Sequence, residues 1–180
     1  MTDGHSLPQS VADAVPVAVY ERLALVRAYD PWITAPGAPL ELFHQLRIAC
    51  KRLRYTFEFF HEILGDPAKP LIKEMKVQQD HLGALQDAVV ACSVLQNFLS
   101  WGSWNPPKKN HRTKGLSSGP VIAPGVASYL ASRQQQIQDL LKAYPDLWDR
   151  LRSMEFTQQV MGALEPVYFS ASPPQQVRHA

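Results

Sequence analysis

Between His44 and Leu64 the apolar residues Leu46, Ala49, Cys50, Leu53, Phe57, Phe60 and Leu64 recur every three or four positions. At about 100° per residue they fall within about 100° of one another, so the segment reads as a helix that buries one face. Ile48, Tyr55 and Phe59 form a second, smaller apolar strip. His44, Arg47, Lys51 and Arg54, at i, i+3, i+7 and i+10, gather on a narrow cationic stripe between these apolar sides, and Arg52 stands apart from both. The nearest following acids are Glu58 and Glu62. A helix of this kind faces either an anion or acids elsewhere in the fold, because burying like charges without partners is costly.

Three further segments carry the same period, and none reads convincingly as a strand. The first helix is expected from about Val11 to Tyr29, with Asp30-Pro31 ending it, since the residue before proline is pushed out of helical geometry. Pro16 is expected in its opening turn or at a kink. The second helix starts with Pro39 at its first position and closes at Gly65, a natural left-handed cap. The third runs from about Pro67 or Pro70 to Leu99. The fourth starts near Gly125 and runs to Leu151, with Pro145 bending it or dividing it in two. The expected architecture is all-α, an antiparallel four-helix bundle over residues 10–156 with a long basic loop before the last helix. Residues 1–9 are expected to be flexible, 100–124 to form a mobile loop, and 157–180 to be a partly disordered tail.

Composition bounds the alternatives. With 46% hydrophobic and 19% charged residues in 180, the chain is globular and long enough for a real core. No run of about eighteen uninterrupted apolar residues is present, so no membrane partner is expected. The opening MTDGHSLPQS has neither the basic nor the apolar region of a secretory signal. Cys50 and Cys92 lie far apart without metal-ligand spacing and read as buried thiols in a reducing compartment, so a cytoplasmic location is expected. The net charge of +2 does not announce a polyanion ligand. A local field, however, depends on arrangement.

The stripe suits a phosphate chain. Guanidinium forks match pairs of phosphate oxygens, lysine adds a compact charge, and one helical turn spaces them by roughly 5 Å. The third helix places Lys73, Lys76, Asp80, Gly83 and Asp87 on one stripe. Its lysines can extend the cationic surface, or Asp80 and Asp87 can neutralise arginines across a helix contact. In the second case the protein is an interaction scaffold that binds no anion.

Two segments together resemble the CHAD family, the conserved histidine α-helical domain. HQLRIACKRLRY (44–55) is similar to that family's H-x-x-R helix with its [KR]-R-L-R-[YF] ending. QQDHLGALQDA (78–88) is similar to its L-Q-D-x-L-G-x-L-x-D-A helix, with Gln78 where the family usually has leucine. YLASRQQQIQDLLKAYPDLWDRL (129–151) resembles the closing helix of such domains. The resemblance implies a non-catalytic domain that binds inorganic polyphosphate through a basic surface, in the cytoplasm or on polyphosphate granules. It implies His44 as the histidine of the name and Arg47, Lys51, Arg52, Arg54, Lys73 and Lys76 as the anion-contacting cations. Arg27 and Arg133 join them from helices whose match is less distinctive. Family domains contain two four-helix units, and a second HxxR…KRLR pattern is absent here. The chain therefore resembles a single C-terminal repeat, whose completion implies a homodimer or a partner half-domain.

No other chemistry competes strongly. His44, His61 and His81 form no i, i+4 pair with a carboxylate, so no metal or cofactor is expected. There is no nucleophile elbow, Walker A loop or dinucleotide fingerprint. Glu74, Asp80 and Asp87 sit on one helix among lysines, without a second acidic cluster to complete a Mg²⁺ site. Lys108, Lys109, His111, Arg112 and Lys114, preceded by Trp101 and Trp104, form a basic arm. That arm gives a nucleic-acid reading, with the tryptophans stacking on bases.

Overall fold

The computed structural model describes residues 11–35, 37–102, 104 and 120–171, and among these there is no strand. Its elements are α1 (Val11–Arg27), α2 (Asp30–Ile33), α3 (Leu40–Phe59), α4 (His61–Leu64), α5 (Ala68–Trp101), α6 (Pro124–Arg152) and α7 (Met154–Ala171). The class is all-α, with bundle-like packing of helices. The chain divides into two compact units. One is built from the described residues up to Asp80 and from Asp146 on, the other from His81–Pro145.

In the first unit α1 buries Val15, Val19, Leu23 and Val26, spaced by one helical turn or its multiples. Pro16 is accommodated inside this helix. The apolar face packs against α3 and α7. On α3 the buried residues are Phe43, Leu46, Cys50, Leu53 and Phe57. The expected second helix is interrupted at Phe60 (φ −94°, ψ 14°), where the Phe59 and Phe60 rings meet edge to face, and resumes as α4. Pro39 is the extended residue just before α3 rather than its first helical residue. Gly65, at φ 67°, ends α4 in the left-handed region that a side chain would disfavour.

Three sequence expectations are corrected. Asp30-Pro31 opens the short helix α2, because a proline missing its N–H fits a first turn. Of the two expectations for Pro145, the division is overturned, because it lies within one continuous helix, α6. The stretch from 157 is no tail, since α7 runs to Ala171 and buries Phe156, Val160, Ala163, Leu164 and Val167. Its start is built by Ser153, whose Oγ accepts the Phe156 N–H at 3.1 Å and donates to the Arg150 carbonyl at 2.8 Å. The expectations for residues 1–9 and for 172–180 lie outside the described residues, as does most of the loop at 100–124.

In the second unit α5 buries Leu82, Leu85, Ala88, Cys92 and Leu95, and α6 buries Ile137 and Tyr144. His81 is half-buried. Its Nε2 lies 2.9 Å from the Leu140 carbonyl oxygen and its ring 5.5 Å from that of Tyr144. By length and composition alone α5 is also apolar enough to cross a membrane, with 28% of the relevant stretch buried. Its apolar residues form no unbroken run, because Gln86, Asp87 and Gln96 lie among them.

Candidate functional site

On α3 the helical register holds His44, Arg47, Lys51 and Arg54 one turn apart, as their spacing requires. His44 and Arg47 are half-buried and Lys51 is exposed. Lys51 Nζ lies 5.5 Å from the centre of the Tyr55 ring, and the Arg54 guanidinium carbon lies 4.9 Å from it. Tyr55, expected as part of an apolar wall, is thus a half-exposed platform that two cations share. The signal for this role was in the sequence: Tyr55 follows Lys51 by one turn and adjoins Arg54.

The acids near these cations are few. Arg54 Nη1 pairs with Glu58 Oε1 at 3.1 Å, within the same helix. Among the described residues neither Asp80 nor Asp87 forms an ion pair, and both are exposed. Arg47 Nε and Arg54 Nε are buried without a hydrogen-bond partner among the described residues. A buried donor left in that state carries a desolvation cost of about 1–3 kcal/mol, and more for a charged group, so an acceptor supplied from outside would be stabilised there.

The remaining candidates have separate surroundings. Arg52 lines a cleft between α1 and α3 with Arg22, about 140° around α3 from Arg47. Lys73 and Lys76 are exposed on α5, and Lys73 borders a groove that also contains Glu74, Asp149 and Arg150. In that groove Arg150 Nη2 pairs with Glu74 Oε2 at 2.5 Å. Arg27 is half-buried and donates to Thr157 Oγ1 at 2.6 Å and to the Leu151 carbonyl at 3.4 Å, which ties α1 to the chain around α7. Arg133 belongs to the 81–145 unit, where it donates to Gln136 Oε1 at 2.7 Å and lies 4.7 Å from the Tyr129 ring centre.

Trp104 stacks on Phe98 with ring centres 4.2 Å apart, so one face of the indole is already covered. Lys108, Lys109, His111, Arg112 and Lys114 lie outside the described residues. Among the described residues no three His, Cys, Asp or Glu side chains form a group able to hold a metal ion.

A family model described as the CHAD domain matches residues 4–96. The match includes α1, α3 and most of α5, and it stops before α6, where Arg133 lies. Comparison with curated proteins and with solved structures returned no match.

Proposed function

This chain belongs to the CHAD domain family, and on that premise we propose that it binds inorganic polyphosphate, without a chemical step, through the cations of α3. CHAD domains are binding domains linked in general to polyphosphate. The observation that carries the reading here is that two buried guanidinium nitrogens of this row, Arg47 Nε and Arg54 Nε, have no acceptor among the described residues. A phosphate chain running along α3 would offer oxygens at intervals comparable with a helical turn, to Arg47, Lys51 and Arg54 in succession. Tyr55 would restrict the side-chain freedom of Lys51 and Arg54, lowering the entropy lost on binding.

His44 stands at the head of this row, and Lys73 and Lys76 extend the proposal to α5. Arg27 Nε is unpartnered in the same way among the described residues, but Arg27 lies on α1, outside the α3 row, and its Nη2 is engaged by Thr157 and the Leu151 carbonyl, so it is left out. The scaffold reading requires acids that satisfy the row from within. The one such pair on α3, Arg54–Glu58, leaves Arg47 and Lys51 without a carboxylate among the described residues. The proposal extends to completion of the site by a second copy or a partner half-domain, and to a cytoplasmic setting that includes polyphosphate granules.

The test is binding of labelled long-chain polyphosphate over a salt titration, in competition with duplex DNA. The comparison is Arg47→Gln/Lys51→Gln/Arg54→Gln, checked for intact helicity. Tight binding that falls steeply with salt, resists DNA and is lost in the variant is the expected result. Equal binding by wild type and variant would remove α3 from the site, effective competition by DNA would favour a nucleic-acid partner, and no binding at low salt would leave the scaffold reading.

A further inference from the structure

Helix α5 carries apolar residues on two opposite sides. In the 81–145 unit its buried residues, Leu82, Leu85, Ala88, Cys92 and Leu95, define the core face. Gly83, Asp87, Val90, Val94, Asn97 and Trp101 fall within about 80° of one another, and their centre lies about 180° from that core face. Val90, Val94 and Trp101 are 51%, 37% and 43% exposed, and Asp87 is exposed as well. The spacing, four and three residues in alternation, is that of a seam between paired helices. From His81 to Trp101, Asp87 is the one residue that is Asp, Glu, Lys or Arg. A solvated helix side carries more charge than this, so the side has the composition of a contact.

The seam is complementary to itself. In two copies laid antiparallel, with a two-fold axis level with position 92, residues equally far on either side of that position face each other. Gly83 then meets Trp101, Asp87 meets Asn97, and Val90 meets Val94. Each match has a physical reason. A glycine inside a helix costs about 1 kcal/mol against alanine, and an indole seated over the missing side chain offsets that cost. The Asn97 amide can donate to the Asp87 carboxylate, which forms no ion pair among the described residues. The two valines meet as equals. A parallel two-fold would instead set Asp87 against Asp87, a like-charge contact. A lipid bilayer would leave Asp87 and Asn97 without partners.

We infer that α5 pairs antiparallel with α5 of a second copy of this chain along residues 83–101. The seam is about 27 Å long, which makes a small interface, so the association depends on concentration and is not permanent. The inference uses none of the α3 cations and no anion, and it does not rest on the polyphosphate reading. The proposed function leaves a second copy and a partner half-domain open as ways to complete the anion site. Here the matching of the seam to itself selects the second copy.

The experiment is sedimentation equilibrium of the full chain without polyphosphate, from about 10 μM to about 1 mM. The expected result is a monomer–dimer equilibrium. Val94→Glu places a charge against the partner's valine and should weaken it about tenfold or more. Asn97→Asp sets a like charge against Asp87, and Asn97→Lys an opposite one. The two-fold repeats each contact, so the first should weaken and the second strengthen association by about fourfold, both effects fading at high salt. If Val94→Glu loses helicity, the opposite signs of the two Asn97 variants decide. A monomer at every concentration, a dimer that tolerates Val94→Glu, or Asn97 variants that act in the same direction would overturn the pairing. A monomer that floats with phosphatidylcholine vesicles would also overturn it, giving the face to a bilayer. The Arg47→Gln/Lys51→Gln/Arg54→Gln protein should dimerise as the wild type does, so this inference and the polyphosphate reading can fail separately.

Discussion

Gln78, fully buried on α5, donates from Nε2 to the carbonyl oxygen of Leu147 on α6 at 2.8 Å. The same nitrogen lies 3.2 Å from Glu74 Oε1, while Gln78 Oε1 is buried without a partner among the described residues. A neutral hydrogen bond contributes about 1 kcal/mol net, and an unsatisfied buried acceptor costs about as much or more. Gln78→Leu removes both terms at similar volume, so thermal unfolding is expected at an equal or higher temperature. Gln78→Ala opens a cavity and should cost roughly 2 kcal/mol or more. A leucine variant as unstable as the alanine one would mean that the Leu147 bond outweighs the orphaned oxygen.

Asp30 has a comparable part in joining the chain's ends. The indole N–H of buried Trp148 donates to Asp30 Oδ1 at 2.6 Å. Asp30→Ala removes that acceptor and is expected to lower stability by about 1–3 kcal/mol in urea unfolding. Arg152, 3.7 Å from the same oxygen and half-exposed, should contribute little by comparison, so Arg152→Ala separates the two effects.

Helix α7 supplies core and is no appendage. Leu164 is fully buried, and its truncation to alanine should cost roughly 2–5 kcal/mol. Met161→Ala, at a position 55% exposed on the same helix, should be nearly silent. Equal effects of the two changes in denaturant titrations would contradict the packing of α7 against α1.

Glu58 competes for Arg54 with any external anion. Glu58→Gln abolishes the 3.1 Å ion pair while keeping the side chain's size. If polyphosphate lies along α3, its affinity at low salt should rise about two- to fivefold, the range of an exposed ion pair, and the gain should fade at high salt. An unchanged or weaker affinity would place the anion elsewhere.

Cys50 and Cys92 are free and buried, and burial pushes the Cys50 thiol up to about 12, above the ordinary value of 9.0. The folded protein therefore keeps Cys50 protonated where the unfolded chain begins to release that proton. The resulting contribution to stability is intact below about pH 9 and declines as pH rises towards 12. Native protein at pH 8 should leave Cys50 unmodified by iodoacetamide, with labelling appearing only on addition of denaturant. Rapid native labelling of Cys50 would show that α3 opens locally.

Helix positions were legible because their signals are local. The apolar periods of α1, α3, α5 and α6 and the proline and glycine boundaries belong to the sequence within a turn or two of each element. The α7 helix was missed although its period was equally present. Met154 to Ala171 contains Gly162 and Pro166, and the neighbouring SASPPQQ stretch reads as loop, so local signals conflicted. Packing on α1 and the Ser153 cap resolve that conflict in favour of helix.

The sequence by itself determined the all-α class, the register that lines up Arg47, Lys51 and Arg54 on α3, and the resemblance that the family match bears out. These follow from spacing along one helix, which is fixed at 3.6 residues per turn whatever surrounds it. Only the tertiary structure decided the partners of each charge. It gave Arg27 to Thr157, Arg150 to Glu74 and Asp30 to Trp148, and it brought Arg22 and Arg52 to the lining of one cleft. Such pairs join residues 30 to 130 positions apart, and a charge many residues away in sequence comes within reach only when helices pack.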